Sequence, residues 1–189
     1  MSEPDIVLTR IDNRLVHGQV GVVWTSSVGA NLLLVANDDT AKDELQQSLM
    51  AATADTSGVG IRFWTIDKTV TTVHKASAKQ HIFLIVRNPQ DARRLVEGGV
   101  PIHQLNIGNM HFSEGKEHIT KYTYMDEQDK EDLKFIAAQG VDVFIQETPD
   151  DKKQSINEVI QYDCDGSTRA VDRITRDHRR ERFLVGSTL

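Results

Sequence analysis

The stretch DIVLTRIDNRLVHGQVGVVW, residues 5–24, decides how this chain folds. It opens with a β-branched, apolar run, DIVLT (5–9), that reads as a strand. It closes with Val20, Val23 and Trp24, continued by Val28, at the spacing of one helix face. Between them lie Arg10, Asp12, Arg14 and His17, followed by Gly18. A strand that passes through a short charged turn into a helix is the first half of a β-α-β unit.

The same unit recurs outward from this point. NLLLVAN (31–37), GIRFWTI (60–66), HIFLIV (81–86), HQLNIG (103–108) and VDVFIQ (141–146) read as further strands. Several are apolar at consecutive positions, as strands covered on both faces must be. Helical patterns fall between them at 17–28, 40–54, 67–77, 89–98 and 126–139. Asp39 and Thr40 are positioned to cap the second, Pro89 opens the fourth, and glycines at 98–99 and 140 close two others. Strands alternating with helices at this spacing predict an α/β fold: an open, doubly wound, mainly parallel sheet of about six to seven strands with helices on both faces.

Bulk composition narrows the function. With 189 residues, 39% hydrophobic and 26% charged, the chain suits a single globular domain. The net charge of −6 argues against a nucleic-acid-binding surface, so an anionic partner must meet local positive charge. Cys164 is the single cysteine, which rules out an intramolecular disulfide and a thiolate metal cluster. The amino terminus lacks the basic and apolar regions of a signal peptide, and no apolar window nears the ~18 residues of a membrane span. The expectation is a cytoplasmic protein. Histidines 74, 81, 103, 111 and 118 show no helical ligand spacing, there is no P-loop, and SGVGIRF is too short for a dinucleotide fingerprint. No metal and no cofactor are expected.

Ligands of such sheets bind beyond the carboxyl ends of the strands, where three loops are expected: RIDNRLVHG, ANDDTAKD and GNMHFSEGK. In the first, His17 sits at the start of a helix, whose free N–H groups and positive dipole end favour a phosphate and disfavour imidazolium. Arg14 offers a forked donor to phosphate oxygens, and Asp12 can orient the loop by pairing with an arginine or accepting a backbone N–H. Gly18 lets an incoming group approach, and Gln19 belongs to the same loop. A nucleophile, a charge clamp and a dipole together suit phosphoryl transfer to histidine; the bland reading is a partly exposed polar residue at a helix start. Asn37 and Asp38 either shape the phosphate loop or simply end a strand and cap a helix. Gly108, Asn109, Met110 and His111 carry the same two readings. Trp24 and Trp64 are expected in the core.

At these residues a family becomes visible. RIDNRLVHGQV resembles the motif of IIB components of the phosphoenolpyruvate-dependent sugar phosphotransferase system, in the mannose/fructose/sorbose family. VANDDTAKDELQQSLM and GGVPIHQLNIGNMHFSEGK are similar to later segments of that family, in the same order from Ile6 to Ile160. The resemblance implies an α/β domain that takes a phosphoryl group from a IIA protein and passes it to a sugar held by membrane-embedded IIC and IID subunits. It assigns His17 as the phosphorylated residue, Arg14 as the arginine that steadies the phosphate, and Asp12 as the acidic residue of the loop. Arg10, Arg14 and nearby lysines then form the attractive patch for a phosphorylated partner. A carrier must serve two proteins in turn, so the site is expected to be shallow, at a domain peripheral to the membrane through IIC/IID. GIRFWTIDK and LNIGNMHF look most similar to amino-sugar systems such as N-acetylgalactosamine or galactosamine. The sequence leaves open a non-catalytic module that binds a phosphorylated metabolite, a regulatory protein switched by phospho-His17, and homo-oligomerisation.

The domain is expected to span 1–160. Residues 161–189 lie outside the resemblance, are rich in arginine and contain no lysine. They read as a poorly ordered tail foreign to the parent gene, or else as an amphipathic helix that docks on a partner.

Overall fold

The computed structural model describes residues 3–160. The expectations for residues 161–189 lie outside them.

The chain alternates as the pattern requires. β1 (Asp5–Asp12) leads through a loop to α1, which runs in π-helical register over Gln19–Trp24 and in α-helical register over Thr25–Ser27. β2 (Leu32–Ala36), α2 (Glu44–Asp55), β3 (Gly60–Trp64), α3 (Ile66–Thr72), β4 (His81–Val86), α4 (Pro89–Glu97) and β5 (Gln104–Asn109) follow. A hairpin of β6 (Glu117–Thr120) and β7 (Thr123–Met125) then precedes α5 (Glu127–Ala138), β8 (Asp142–Ile145), β9 (Gln154–Ser155) and α6 (Ile156–Val159). The main sheet has seven strands in the order β3-β2-β4-β1-β5-β8-β9, and only β9 pairs antiparallel. Among the described residues no helix is long and apolar enough to cross a membrane.

Strand alternation sorts the core into two layers. Leu33 and Val35 of β2 and Phe83 and Ile85 of β4 pack with Val20, Trp24, Met50 and Ala54 of α1 and α2. Leu32, Leu34, Ile82, Leu84 and Val86 point the other way, onto Ile66, Ala92, Leu95, Leu133 and Ile136 of α3, α4 and α5. The sheet is therefore doubly wound. Its first two helices cover one face on the way from β1 out to β3, and the next three cover the other on the way back through β4 to β8. The direction reverses at β1 and β4, which lie side by side with Ile11 opposite Val86. Crevices for ligands open at such a reversal.

The expected capping residues differ in one helix. Asp43, not Asp39 or Thr40, caps α2 by accepting from the Gln46 N–H at 2.9 Å, while Thr40 begins a short 3-10 turn, Thr40–Lys42. Asn88 caps α4 ahead of Pro89, and Gly99 and Gly140 follow their helices with φ of +79° and +87°. Gly21 has a packing reason: a Cβ there would lie 2.8 Å from Thr53 Cγ2, so glycine lets α1 press onto α2.

Leu84→Ala, in the fully buried centre of β4, should cost about 2–5 kcal/mol. Asp126→Ala, which removes the capping box of α5, should cost about 0.5–2 kcal/mol. Urea midpoints compared at constant m-value check the ranking.

Candidate functional site

β1 delivers two side chains of opposite charge into the interior. Arg10 is 1% exposed, and its guanidinium reaches four acceptors: Asn106 Oδ1 of β5, Asp12 Oδ2 at 3.1 Å, and the carbonyls of Gln146 (3.2 Å) and Glu147 (3.4 Å) beyond β8. Its Cζ stacks 4.9 Å from the centre of the Trp24 ring, and Trp24 Nε1 donates to the Glu147 carbonyl at 3.0 Å. A Cβ on Gly108 would lie 1.9 Å from Arg10 Cζ, so Gly108 makes the space this guanidinium fills.

Asp12, fully buried, is the hub. Its Oδ2 accepts from Arg10 and sits 3.2 Å from His17 Nε2; its Oδ1 accepts from the Arg14 N–H at 3.1 Å and lies 3.5 Å from Arg14 Nε. Burial pushes the Asp12 carboxyl up, but the bond to His17 and the charge of Arg10 outweigh it and hold the group below its ordinary value. Burial lowers the Arg10 pKa, against the opposing pull of Asp12. A carboxylate only accepts, so His17 Nε2 donates in this contact. Nδ1 has no hydrogen-bond partner among the described residues.

The loop is held as firmly as its charges. The Asn13 N–H donates to the Asn109 carbonyl at 3.0 Å, Asn13 Nδ2 to the Arg87 carbonyl at 3.0 Å, and Asn13 Oδ1 accepts from the His111 N–H. Asn13 thus ties the loop to the ends of both flanking strands. Leu15 adopts φ +56°, a conformation that costs a non-glycine residue about 1–2 kcal/mol. Burial of Leu15 and Val16 against α1 and α2 holds it there. His17 follows directly, its side chain 21% exposed. Helix α1 begins immediately after it, with Gly21 N–H donating to the His17 carbonyl at 2.7 Å and no side-chain cap at Gly18. The first N–H groups of that helix are left for an outside acceptor.

His17, Arg14, Gly18, Gln46, Leu49 and Arg87 line a cleft of about 400 Å³. Gly18 faces open space, and Gln19 is half-buried beside it. Arg14 is 44% exposed at the cleft. Sequence reasoning missed Asn13, Gln46 and Arg87. For Arg87 the sequence signal is only its place just after β4 at the sheet's carboxyl edge; that β4 lies beside the strand carrying the histidine loop shows in the strand order.

The structure corrects several sequence assignments. Arg10 is no part of a surface patch, because its charge is spent inside on Asp12. Asn37 and Asp38 do not border the histidine loop, because β4 lies between β2 and β1. Asn37 instead binds Thr40 and Asp91 (Oδ1 to the Thr40 N–H, 3.0 Å; Nδ2 to Asp91, 2.9 Å). Asp38 accepts from the Ile66 N–H at 2.9 Å and pairs with Arg94 at 2.7 Å, which lowers its pKa. Gly108 meets Arg10 rather than a ligand, Asn109 offers its carbonyl to Asn13, and His111 lends its backbone N–H to the same residue. Trp24 is core, and Trp64 packs half-buried against the other core layer with Lys68 over its ring.

A doubly wound α/β domain, with a carboxylate-held histidine in an arginine-flanked cleft at the reversal of strand order, has the chemistry of a phosphoryl-accepting protein. Comparison with known proteins gives the family. The family model for the PTS system sorbose subfamily IIB component matches residues 6–169. The chain is 58% identical over 156 residues to the N-acetylgalactosamine-specific phosphotransferase enzyme IIB component 1 of Escherichia coli (strain K12), covering 82% of this chain and 99% of that one. It is 30% identical to the fructose-specific EIIB component of Bacillus subtilis (strain 168), over 83% of this chain and 96% of the other. The crystal structure of the E. coli N-acetylgalactosamine-specific IIB component 1 superposes with a TM-score of 0.78 at 59% identity, over 80% of this chain and 99% of that chain. That of the sorbose permease IIB domain from Klebsiella pneumoniae does so with 0.76 at 32%, over 80% and 93%. The chain belongs to the sorbose-subfamily IIB components of the sugar phosphotransferase system.

Asp12→Asn should destabilise the fold by about 3–5 kcal/mol at pH 7, because it strands the Arg10 charge in the interior. A carboxyl whose pKa is lowered by folding stabilises the native state above its unfolded value of ~3.9 and loses that contribution as pH falls through the folded value. The gap between wild type and Asp12→Asn should therefore narrow on acidification below about pH 4; urea titrations from pH 7 to pH 3 read it. Gly108→Ala, which drives a methyl into the guanidinium, should cost about 2–4 kcal/mol in the same assay.

Proposed function

We propose that this chain accepts a phosphoryl group on His17 Nδ1 from a phosphorylated IIA protein. It then passes the group to a sugar delivered through IIC and IID subunits at the cytoplasmic face of the membrane. The observation that carries this reading is the bond from His17 Nε2 to the buried, ionised Asp12. It commits one ring nitrogen and leaves the other as the nucleophile.

The roles follow from charge. As Nδ1 attacks phosphorus, the P–N bond to the donor breaks, a new P–N bond forms, and the imidazole becomes cationic. Asp12, already ionised and 3.2 Å away, stabilises that cation without having to move. Arg14 meets the phosphoryl oxygens, and the first N–H groups of α1 add their dipoles. In the second step the P–N bond breaks as a sugar hydroxyl attacks, the hydroxyl proton leaves with the sugar phosphate as its monoanion, and the ring returns to its neutral form with Nε2 still protonated. Arg10 acts through Asp12 as a positioning residue. N-acetylgalactosamine is the proposed sugar, because the E. coli relative that is 58% identical is specific for it.

The test is transfer of label from radioactive phosphoenolpyruvate through the two general phosphotransferase proteins and a cognate IIA. Wild type should acquire acid-labile, base-stable label and His17→Ala none. Asp12→Asn should transfer about 10²–10³-fold more slowly. An unlabelled wild type beside an active IIA would leave a phosphate-binding module, and label that never reaches a sugar would leave a phospho-histidine switch. Sugar-dependent loss of label with N-acetylgalactosamine, compared with mannose, reads the specificity.

A further inference from the structure

Arg87 stands apart from the other arginines. Arg10 and Arg14 share Asp12, Arg93 pairs with Glu97 and Asp132, and Arg94 with Asp38 and Asp67. Among the described residues, Arg62 and Arg87 pair with no carboxylate. Arg62 is exposed on the edge strand β3, whereas Arg87 is half-buried in the cleft with His17.

What holds Arg87 is neutral and partial. Its Nη2 donates to Thr40 Oγ1 and to Gln46 Oε1, both at 3.1 Å. Nε is buried with no partner, and Nη1 forms no hydrogen bond among the described residues. A half-desolvated guanidinium bonded by one nitrogen to uncharged oxygens is short of an anion. Its position is fixed by the histidine loop itself, through the 3.0 Å bond from Asn13 Nδ2 to the Arg87 carbonyl. The Asn37 side chain reinforces the other wall by accepting from the Thr40 N–H at 3.0 Å.

Counting charge gives the missing anion its size. Arg10 and Asp12 cancel inside the fold. That leaves Arg14 and Arg87 as the two cations lining the cleft, against a phosphoryl group of about −1.5 to −2. We infer that Arg87 is a second phosphoryl-binding residue: it contacts the oxygens of the group carried on His17, opposite Arg14, while Thr40 and Gln46 hold it ready in the unphosphorylated protein. This inference rests on the phosphocarrier reading above.

Phosphorus NMR on the full chain, phosphorylated through IIA, tests both separately. In wild type the phosphohistidine resonance should titrate with a low second ionisation, because two guanidinium groups favour the dianion. Arg87→Gln should raise that ionisation and slow transfer from IIA by about 10–100-fold. Arg87→Lys, which keeps the charge and loses the fork, should fall between. A merely structural role would change the thermal midpoint and leave the phosphoryl titration where it was. A titration unchanged in both variants overturns the inference while leaving the carrier function intact; a wild type that takes no phosphoryl group overturns the carrier reading itself. Should Arg87→Gln fail to fold, the comparison of Arg87→Lys with wild type decides.

Discussion

The site hangs from one buried ion pair, Arg10 with Asp12. Taking both charges out of water is expensive, and the pair is supportable because both Nη nitrogens of Arg10 and both oxygens of Asp12 are bonded, although Arg10 Nε is buried without a partner. The arginine spans three strands: it rises from β1, bonds Asn106 on β5 and takes two carbonyls beyond β8. It thereby locks together the carboxyl edge of the sheet on one side of the loop. The aspartate then spends its remaining capacity on the loop itself, through His17 Nε2 and the Arg14 N–H. A rigid sheet edge is converted, through one carboxylate, into a fixed orientation of one imidazole.

Topology explains why this happens at the end of β1. With β4 on one side and β5 on the other, β1 is central, and its chain leaves toward one face while the chain from β4 leaves toward the other. The edges part above the pair, and Asn13 bridges the gap by bonding to both neighbours. The left-handed turn at Leu15 is the backbone cost of reversing direction so sharply. Burial of the Leu15 side chain offsets it, so the strain sits where the histidine must be presented.

The sheet was legible because its signal is local. Each strand and helix carries its own period, and Asn88-Pro89 or Gly98-Gly99 mark their ends regardless of partners. The β6–β7 hairpin and β9 were not, since they are short and take their pairing from distant segments. The π register of α1 was hidden as well: GQVGVVW looks like any amphipathic turn, whereas in the fold the Thr25 N–H and hydroxyl both reach back to the Val20 carbonyl. The histidine loop could be found because Arg10, Asp12, Arg14 and His17 are neighbours in sequence. Their division of labour could not. Whether an arginine beside an aspartate faces solvent or the interior depends on Gly108, nearly a hundred residues away. Arg87 escaped for a related reason: one arginine after a strand means little until the sheet places β4 beside β1.

That division of labour suits a carrier that must give up what it takes. If every charge near His17 were buried and fully paired, the phosphoryl group would find no counter-charge on arrival. If every charge were free, the group would be held too tightly to leave. Here the charges that define the imidazole are sealed inside, where no partner disturbs them, whereas Arg14 lies 44% exposed at the cleft. An exposed guanidinium is screened and readily shared with an incoming protein. The proposed donor and acceptor can therefore each bring their own groups to the phosphoryl oxygens, while the nucleophile keeps one geometry for both steps. The separation of a permanent interior pair from an exchangeable exterior cation is what the proposed carrier role requires of one histidine that faces two partners in turn.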